Sequence, residues 1–461
     1  MDGIHCHRLD HVPDLVSLSN SFPEHFPYLL DHAASGSQAG HSLLLFASGE
    51  SLVQSATGEL TGPGEGDDFF TRLESWFQQE RAGSFETRSS LFSGGWFLFI
   101  GYEMAARIEP VLKLPPNDTG LPDAIATRCH GAVVVDHAEP GKPGSQDRAS
   151  VMAETSEIMQ AIFSKIRQQA SPAVQPVPVL NELQEENPQK FRSGVLKVLE
   201  YLRAGDVFQV NISRHWNGTF AGKIDPYAVY QNLRSANPAP FAGMMNWQGR
   251  QLLSSSPERL VQIQGRKIQT RPIAGTRSRG HSEEQDLALS RELIDNVKER
   301  AEHIMLIDLE RNDMGRVCLP GSIHVNELMV IESYAHVHHI VSNIEGTLKA
   351  SASPIDALKA VFPGGTITGC PKVRCMEIIA ELEQEGRGFY TGSMGYLGID
   401  GNMDLNILIR SMLLHGKSVS FRTGAGIVAD SEPERELTET REKARGLLLA
   451  LQPEKEADAH A

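Results

Sequence analysis

Two pairs of glutamates could do chemistry in this 461-residue chain. Glu299 and Glu302 are three residues apart, and so are Glu436 and Glu439. On a helix that spacing puts both carboxylates on one face. Two such pairs on distant helices suggest an oxygen-ligand site for Mg²⁺, an ion that takes few carboxylates and keeps waters and substrate oxygens. A single pair would read more readily as a solvated helix face. Gly364-Gly365-Thr366-Ile367-Thr368-Gly369, followed by Cys370-Pro371-Lys372 and an apolar run, is a glycine-rich loop feeding a helix N-terminus, whose free N–H groups suit an anion. No Gly-Lys-Ser/Thr follows at P-loop spacing, so this is not a Walker motif. Gly424-Ala425-Gly426 would let backbone amides approach a ligand closely, or else mark a crowded strand end. His336, His338 and His339 lack companion cysteines, which leaves little support for a metal reading.

These residues need elements to position them. Asn187-Pro188 can open a helix as N-cap and first-turn proline, with a stripe of Phe191, Val195, Val198 and Leu202 and a stop at Gly205. Residues 206–213 then alternate as a strand, with Phe208, Val210 and Ile212 on one side and Gln209, Asn211 and Ser213 on the other. A polar inward face is costly unless it is wet or binds something. One helix is expected over 283–309, with an apolar stripe of Leu289, Leu293, Val297, Ala301 and Ile304. Another follows a capping box of Ser431 with Glu434 and Pro433 in its first turn. Its buried stripe is Leu437, Ala444, Leu448 and Leu451, opposite Glu436, Glu439 and Lys443. Residues 169–185, with three prolines among small and polar residues, read as a linker. It divides an N-terminal α/β region, 1–168, from a catalytic domain, 186–455. That boundary is one of sequence, since N-terminal strands are expected to join the same body.

A net charge of −15 argues against nucleic acid or an anionic membrane as partner. An anionic substrate would then need local cations or a metal. The N-terminus has neither the basic start nor the apolar core of a secretory signal, and the apolar runs are too short to span a bilayer. Five scattered cysteines fit reduced thiols, so a cytoplasmic location is expected.

Taken in order, Thr270-Arg-Pro-Ile-Ala-Gly-Thr276, Lys298-Glu-Arg-Ala-Glu-His303, Phe362-Pro-Gly-Gly-Thr-Ile-Thr-Gly369, Gly424-Ala-Gly-Ile-Val-Ala-Asp-Ser431 and Arg435-Glu-Leu-Thr-Glu-Thr-Arg-Glu-Lys443 resemble the chorismate-utilising enzymes. These include anthranilate synthase component I, aminodeoxychorismate synthase component I, and the isochorismate and salicylate synthases. The resemblance runs from about Asn187 to the C-terminus. It implies an α+β fold: two antiparallel sheets packed face to face, helices outside, and the site in the cleft between them.

The resemblance also implies roles. Glu302 and Glu439 match Mg²⁺ ligands, with Glu299 and Glu436 holding metal-bound water. Thr366 matches a substrate contact, as do Ala274 and Gly275 of the first motif, whose Thr276 stands at the reacting centre. Amides near Gly424, Ala425 and Gly426, with Lys443, match the receptor for one carboxylate. Tyr390 and Arg410 match the receptor for the enolpyruvyl carboxylate. His339 is placed beside the departing C4 oxygen as hydrogen-bond donor or general acid, and Glu258 as a proton relay at C4. Gln209 stands where the water-using members carry a lysine, which implies ammonia as nucleophile. Ammonia would come from a separate glutamine amidotransferase in a heterodimer, since the chain has no nucleophilic-cysteine elbow with matching His-Pro-Glu.

The two ammonia-using activities remain to be separated. Many aminodeoxychorismate synthases carry a nucleophilic lysine where this chain has Ala274, so Pro-Ile-Ala-Gly-Thr alone favours anthranilate synthase. Four features favour the other branch. Leu43 to Ser48 lacks the Leu-Leu-Glu-Ser element linked to tryptophan feedback. Gly94-Gly95-Trp96 leads to Gly101-Tyr102-Glu103. The loop reads Phe-Pro-Gly-Gly rather than Phe-Pro-Ala-Gly. The connection from Thr276 to Glu302 is short. The expectation is therefore 4-amino-4-deoxychorismate, made without a covalent intermediate. Cys370, His338 and Glu310 depart from the usual residues of the family; Glu310 stands where alanine commonly precedes Arg-Asn-Asp.

Overall fold

The computed structural model describes residues 5–34, 40–82, 92–138, 145–169, 176–280, 282–334 and 337–452, without the side chains of Ser48, Ala82, Thr276, Ser278 and Lys298. His336 and part of the 169–185 segment lie outside it.

Every strand pairing is antiparallel, and two long strands tie the sheet together. His41–Gln54 and Ala124–Asp136 pair along their lengths, with register shifts between Phe46 and Ser51. Such bulges bend a strand and sharpen its twist. Beyond the bend, Ala124–Asp136 pairs with Gly95–Ile100 through one half and with Arg148–Ala153 through the other. One arm passes from His41–Gln54 through Tyr28–Asp31, Phe241–Trp247, Arg250–Ser256, Ser411–His415, Ser418–Ile427 and Gln209–Phe220 to Leu180–Glu185. The other passes from Gly95–Ile100 through Ser393–Gly398, Met403–Asn406, Arg259–Gln264 and Lys267–Thr270 to Val337–Thr347. That last strand also pairs with Ile273–Ser278 and His324–Ser333.

The arms face one another. Tyr28, Leu45, Met245 and Leu252 of the first pack with Phe97, Phe99, Met394 and Tyr396 of the second in one core. The Tyr28 and Phe97 rings stack with centroids 3.9 Å apart. The helices Pro226–Ala236 and Pro433–Leu451 cover the outside of the first arm, and Phe69–Ala82 and Pro354–Val361 that of the second. This is the expected α+β architecture. Among the described residues, no helix is long and apolar enough to cross a membrane.

Several local expectations hold. Pro188–Ala204 is a helix capped by the Asn187 side chain and stopped at Gly205, whose φ of 78° is the left-handed conformation glycine accepts freely. Others need correction. The end of the 169–185 segment is not linker: Leu180–Glu185 pairs with Gln209–Phe220, where its backbone groups find partners. The strand expected over 206–213 is Gln209–Phe220, and Phe208 precedes it, 67% exposed.

The single helix expected over 283–309 is two, Glu283–Asp295 and Val297–Gly315. Asn296 has extended backbone, and its side chain accepts from Glu299 N at 3.2 Å, capping the second helix. The restart rotates the buried face. Val297 and Ile304 are exposed, while His303, Leu306, Ile307 and Glu310 point inward. Nor is there a capping box at Ser431. Its hydroxyl closes the preceding turn by accepting from Val428 N at 3.0 Å, and the N-cap is Glu432.

Candidate active site

The site is built where strands of the first arm meet the two carboxylate helices. Gln209–Phe220 and Ser418–Ile427 pair with Gly426 opposite Asn211 and Gly424 opposite Ser213. Both glycines are required. A Cβ on Gly424 would sit 2.7 Å from the Tyr390 hydroxyl, and one on Gly426 would collide with the Gln209 amide. Ala425 turns the other way, into the core under Pro188–Ala204. The Gln209 Nε2 donates to Glu302 Oε1 at 2.7 Å, linking this strand pair to the helix Val297–Gly315. From the C-terminal helix, Lys443 Nζ donates to Gly424 O at 3.1 Å and pairs with Glu439 at 2.6 Å. Two of the proposed carboxylates, the lysine, the glycines and Tyr390 thus share one neighbourhood.

The second arm supplies the acid–base groups. Residues Ile273 to Thr276 oppose Val341 to His339, so Ala274 and Gly275 form a bulge with one residue too many. A Cβ on Gly275 would meet Glu299 Oε2 at 2.6 Å, which places the bulge against that carboxylate. Thr276 pairs with His339 through the backbone; its side chain lies outside the described residues. His339 is buried, and burial, then Arg410 and His338, push its pKa down to about 3. The imidazole is therefore neutral at physiological pH. A neutral imidazole can donate one N–H, which suits the hydrogen-bond-donor form of the expected role.

Glu258 lies buried in the same neighbourhood. Burial pushes its carboxyl up to about 7 against the opposing pull of Thr366, the Ile273 N–H, Arg410 and Lys443. Thr366 Oγ1 donates to Glu258 Oε1 at 2.7 Å, so the glycine-rich loop is tied to this acid. Lys372 pairs with Asp313 at 2.5 Å and donates to Val361 O, a structural role. His338 bonds Asp286 and Ser333 and is packing.

The metal reading can be tested on the donor set. Glu302 accepts from Gln209, Glu439 pairs with Lys443, and Glu299 with Arg277 at 3.3 Å. Glu436 is buried on the helix that carries Glu439. The four carboxylates form no closed cage. Among the described residues, one acid–histidine trio has its ligand atoms within 4.8 Å of each other, Glu186, His215 and Glu385. Lys190 already pairs with both of those glutamates. Beside Glu302, however, the Gln209 Oε1 is buried without a donor, and so is the Asn211 Oδ1 on the same strand. Buried oxygen acceptors next to a carboxylate suit a hydrated hard cation, whose waters would donate to them. The residues fit Mg²⁺.

Sequence reasoning missed the support behind Tyr390. Arg387, fully buried, bonds Glu383 at 2.6 Å and lies 5.5 Å from the centre of the Tyr390 ring. Glu383 also binds Arg422 at 3.1 Å and accepts from Ser213 N at 2.8 Å. Glu103 accepts from the Arg387 and Gly388 amides. An arginine and a glutamate four apart look like a surface pair in sequence, and only their burial distinguishes them.

A model of the chorismate binding enzyme family matches residues 35–449, and the chain belongs to that family, whose members are enzymes acting on chorismate. It is 43% identical over 366 residues to an anthranilate synthase component I-like protein of Synechocystis, covering 78% of this chain and 73% of that one. It is 40% identical over 395 residues to aminodeoxychorismate synthase component 1 of Bacillus subtilis, covering 84% and 83%. The crystal structure of anthranilate synthase component I from Streptococcus pneumoniae matches with a TM-score of 0.76 and 30% identity, over 89% of this chain and 92% of that one.

Proposed function

We propose that this chain is an aminodeoxychorismate synthase component I, which adds ammonia to chorismate and yields 4-amino-4-deoxychorismate for p-aminobenzoate and folate. The observation that carries the choice of nucleophile is the Gln209–Glu302 contact. By resemblance, a water-using member needs a lysine base at this position. A neutral amide cannot deprotonate water, whereas free ammonia is nucleophilic without a base. The names component I and 1 among the relatives support a second polypeptide, which we assign as a glutamine amidotransferase in a heterodimer.

Glu302 and Glu439 would hold Mg²⁺, with Glu299 and Glu436 on its waters; bound there, the ion would take the ring carboxylate and polarise the C4 hydroxyl. Arg410 and Tyr390 receive the enolpyruvyl carboxylate, and Lys443 and the Gly426 region the other. Ammonia adds at C2 as the C4 hydroxyl leaves with the Glu258 proton, forming water. The new ammonium group returns a proton to Glu258. His339 donates its N–H to the departing oxygen. A second ammonia then adds at C4 while Glu258 returns its proton to the C2 amino group, which leaves as ammonia, and the new C4 ammonium restores the proton to Glu258. No residue bonds to the substrate, consistent with alanine at 274.

Ala274 also favours a second reading, anthranilate synthase. Two observations weigh against it. A Leu-Leu-acid sequence does occur at Leu29-Leu30-Asp31, but its buried carboxylate is taken by Ser42, Tyr230 and Arg234, at 2.9, 3.0 and 2.8 Å. The loop also reads Phe-Pro-Gly-Gly where, by resemblance, the anthranilate branch carries Phe-Pro-Ala-Gly, and a Cβ on Gly364 would have to displace the end of the Ile407 side chain, 2.8 Å away.

The test is chorismate consumption by purified chain, with intact-protein mass recorded during turnover. Consumption should require both ammonium salt and Mg²⁺ and leave the protein mass unchanged. Isochorismate formed without ammonium, or a chorismate-sized adduct, would contradict the reading.

A further inference from the structure

Glu310 has no part in the mechanism above, yet it is buried at the same place. It lies on the inward face of Val297–Gly315, 4% exposed, and accepts from Gly365 N at 3.3 Å. The next residue, Thr366, donates to Glu258 Oε1 at 2.7 Å. Two buried carboxyls from different elements therefore bond to consecutive residues of one turn. The helix comes this close because residue 365 is glycine: a Cβ there would lie 2.5 Å from Leu309 Cδ2 and 3.3 Å from Glu310 Oε1.

We propose that Glu310 shares a proton with Glu258 beneath this turn and so holds a reserve proton for the oxygen that leaves C4. The inference rests on the acid role given to Glu258 above. Two buried carboxylates held to consecutive residues of one turn repel, so the second proton is held more tightly than the first. The groups facing the pair do not cancel this. Glu310 feels Asp313 and Lys372, which are themselves an ion pair at 2.5 Å. Glu258 feels Arg410 and Lys443 from the substrate side. Burial raises the pair to about 7 and about 8, and Glu258 is among the charges that raise Glu310. The arrangement suits a reaction with ammonia. Free ammonia increases with pH, while the leaving hydroxyl still needs an acid; the shared proton keeps one available in mildly alkaline solution. Glu310 is thus a positioning residue, acting through Glu258.

Two measurements on the full-length protein test this. The first follows the infrared carbonyl stretch of protonated carboxyls through a pH titration of wild type, E258Q and E310Q. The Glu310 step should fall by about one pH unit in E258Q, because its repelling neighbour is gone. The same step at the same pH in both proteins would overturn the proposal. The second compares turnover at pH 8 and pH 6 in E310Q and E310A, the alanine form covering a failure of E310Q to fold. The ratio should drop about tenfold relative to wild type, one unit of the alkaline limb; an unchanged ratio would overturn the reserve role. Full turnover by E258Q would instead sink the acid role of Glu258, and the infrared titration would still report on proton sharing.

Discussion

Gln209 decides more of the chemistry than its neutrality suggests. Its Nε2 holds Glu302, its Oε1 is a buried acceptor without a donor, and its backbone oxygen accepts from the Cys375 thiol. Partners that orient a metal ligand typically contribute about 10- to 100-fold to metal affinity or activity. Gln209→Ala should therefore raise the Mg²⁺ concentration for half-maximal turnover by about that range. An unchanged Mg²⁺ titration would separate Gln209 from the metal site. At this scale the motifs were legible as placement: Glu302 comes to Gln209, Glu439 to Lys443, Lys443 to Gly424 O and Thr366 to Glu258. Glu310 was visible only as an odd residue before Arg-Asn-Asp, because its meaning depends on a turn 55 residues away.

At the level of elements, the strand pair and the broken helix do most of the positioning. Gly424→Ala should push Tyr390 or the Gln209–Phe220 strand aside, costing about 1–3 kcal/mol of stability by overpacking. Denaturant melts and chorismate binding should weaken together; unchanged binding would remove Gly424 from the substrate wall. Asn296→Ala deletes the cap that starts the helix bearing Glu299 and Glu302. A loss of about 1 kcal/mol is expected, with a raised Mg²⁺ requirement. Periodicity gave the helix Pro188–Ala204 because cap, stripe and stop agreed. It failed over 283–309 because a single asparagine restarts the helix and turns the apolar stripe outward, which no period can reveal. The two carboxylates kept their shared face because both lie after the break.

Across the whole molecule, the site depends on an interior that is charged as well as apolar. Arg387, Glu383, Arg422 and Glu103 form a buried network between the strand pair and the Tyr390 turn. Arg387→Met would leave Glu383 to Arg422 and orphan the Asn211 and Ile367 carbonyls that Arg387 now serves, and a loss of about 3 kcal/mol is expected in urea unfolding. A loss under 1 kcal/mol would mean that the network is not what holds Tyr390. The architecture came through the family motifs. The division at 169–185 was legible as a change of composition. It has no counterpart as a break in the sheet, since Tyr28–Asp31 pairs with Phe241–Trp247 and Gly95–Ile100 with Ser393–Gly398. Strand partners so distant in sequence leave no local signal.

The central claim, amination at C4, is tested most directly by product identity. Purified chain would be given chorismate, Mg²⁺ and ammonium salt at mildly alkaline pH, and the products separated with mass detection. The account predicts a product that keeps the enolpyruvyl group and is converted to p-aminobenzoate by an added lyase. Fluorescent anthranilate with stoichiometric pyruvate would contradict it, and would show that Ala274 marks the anthranilate branch.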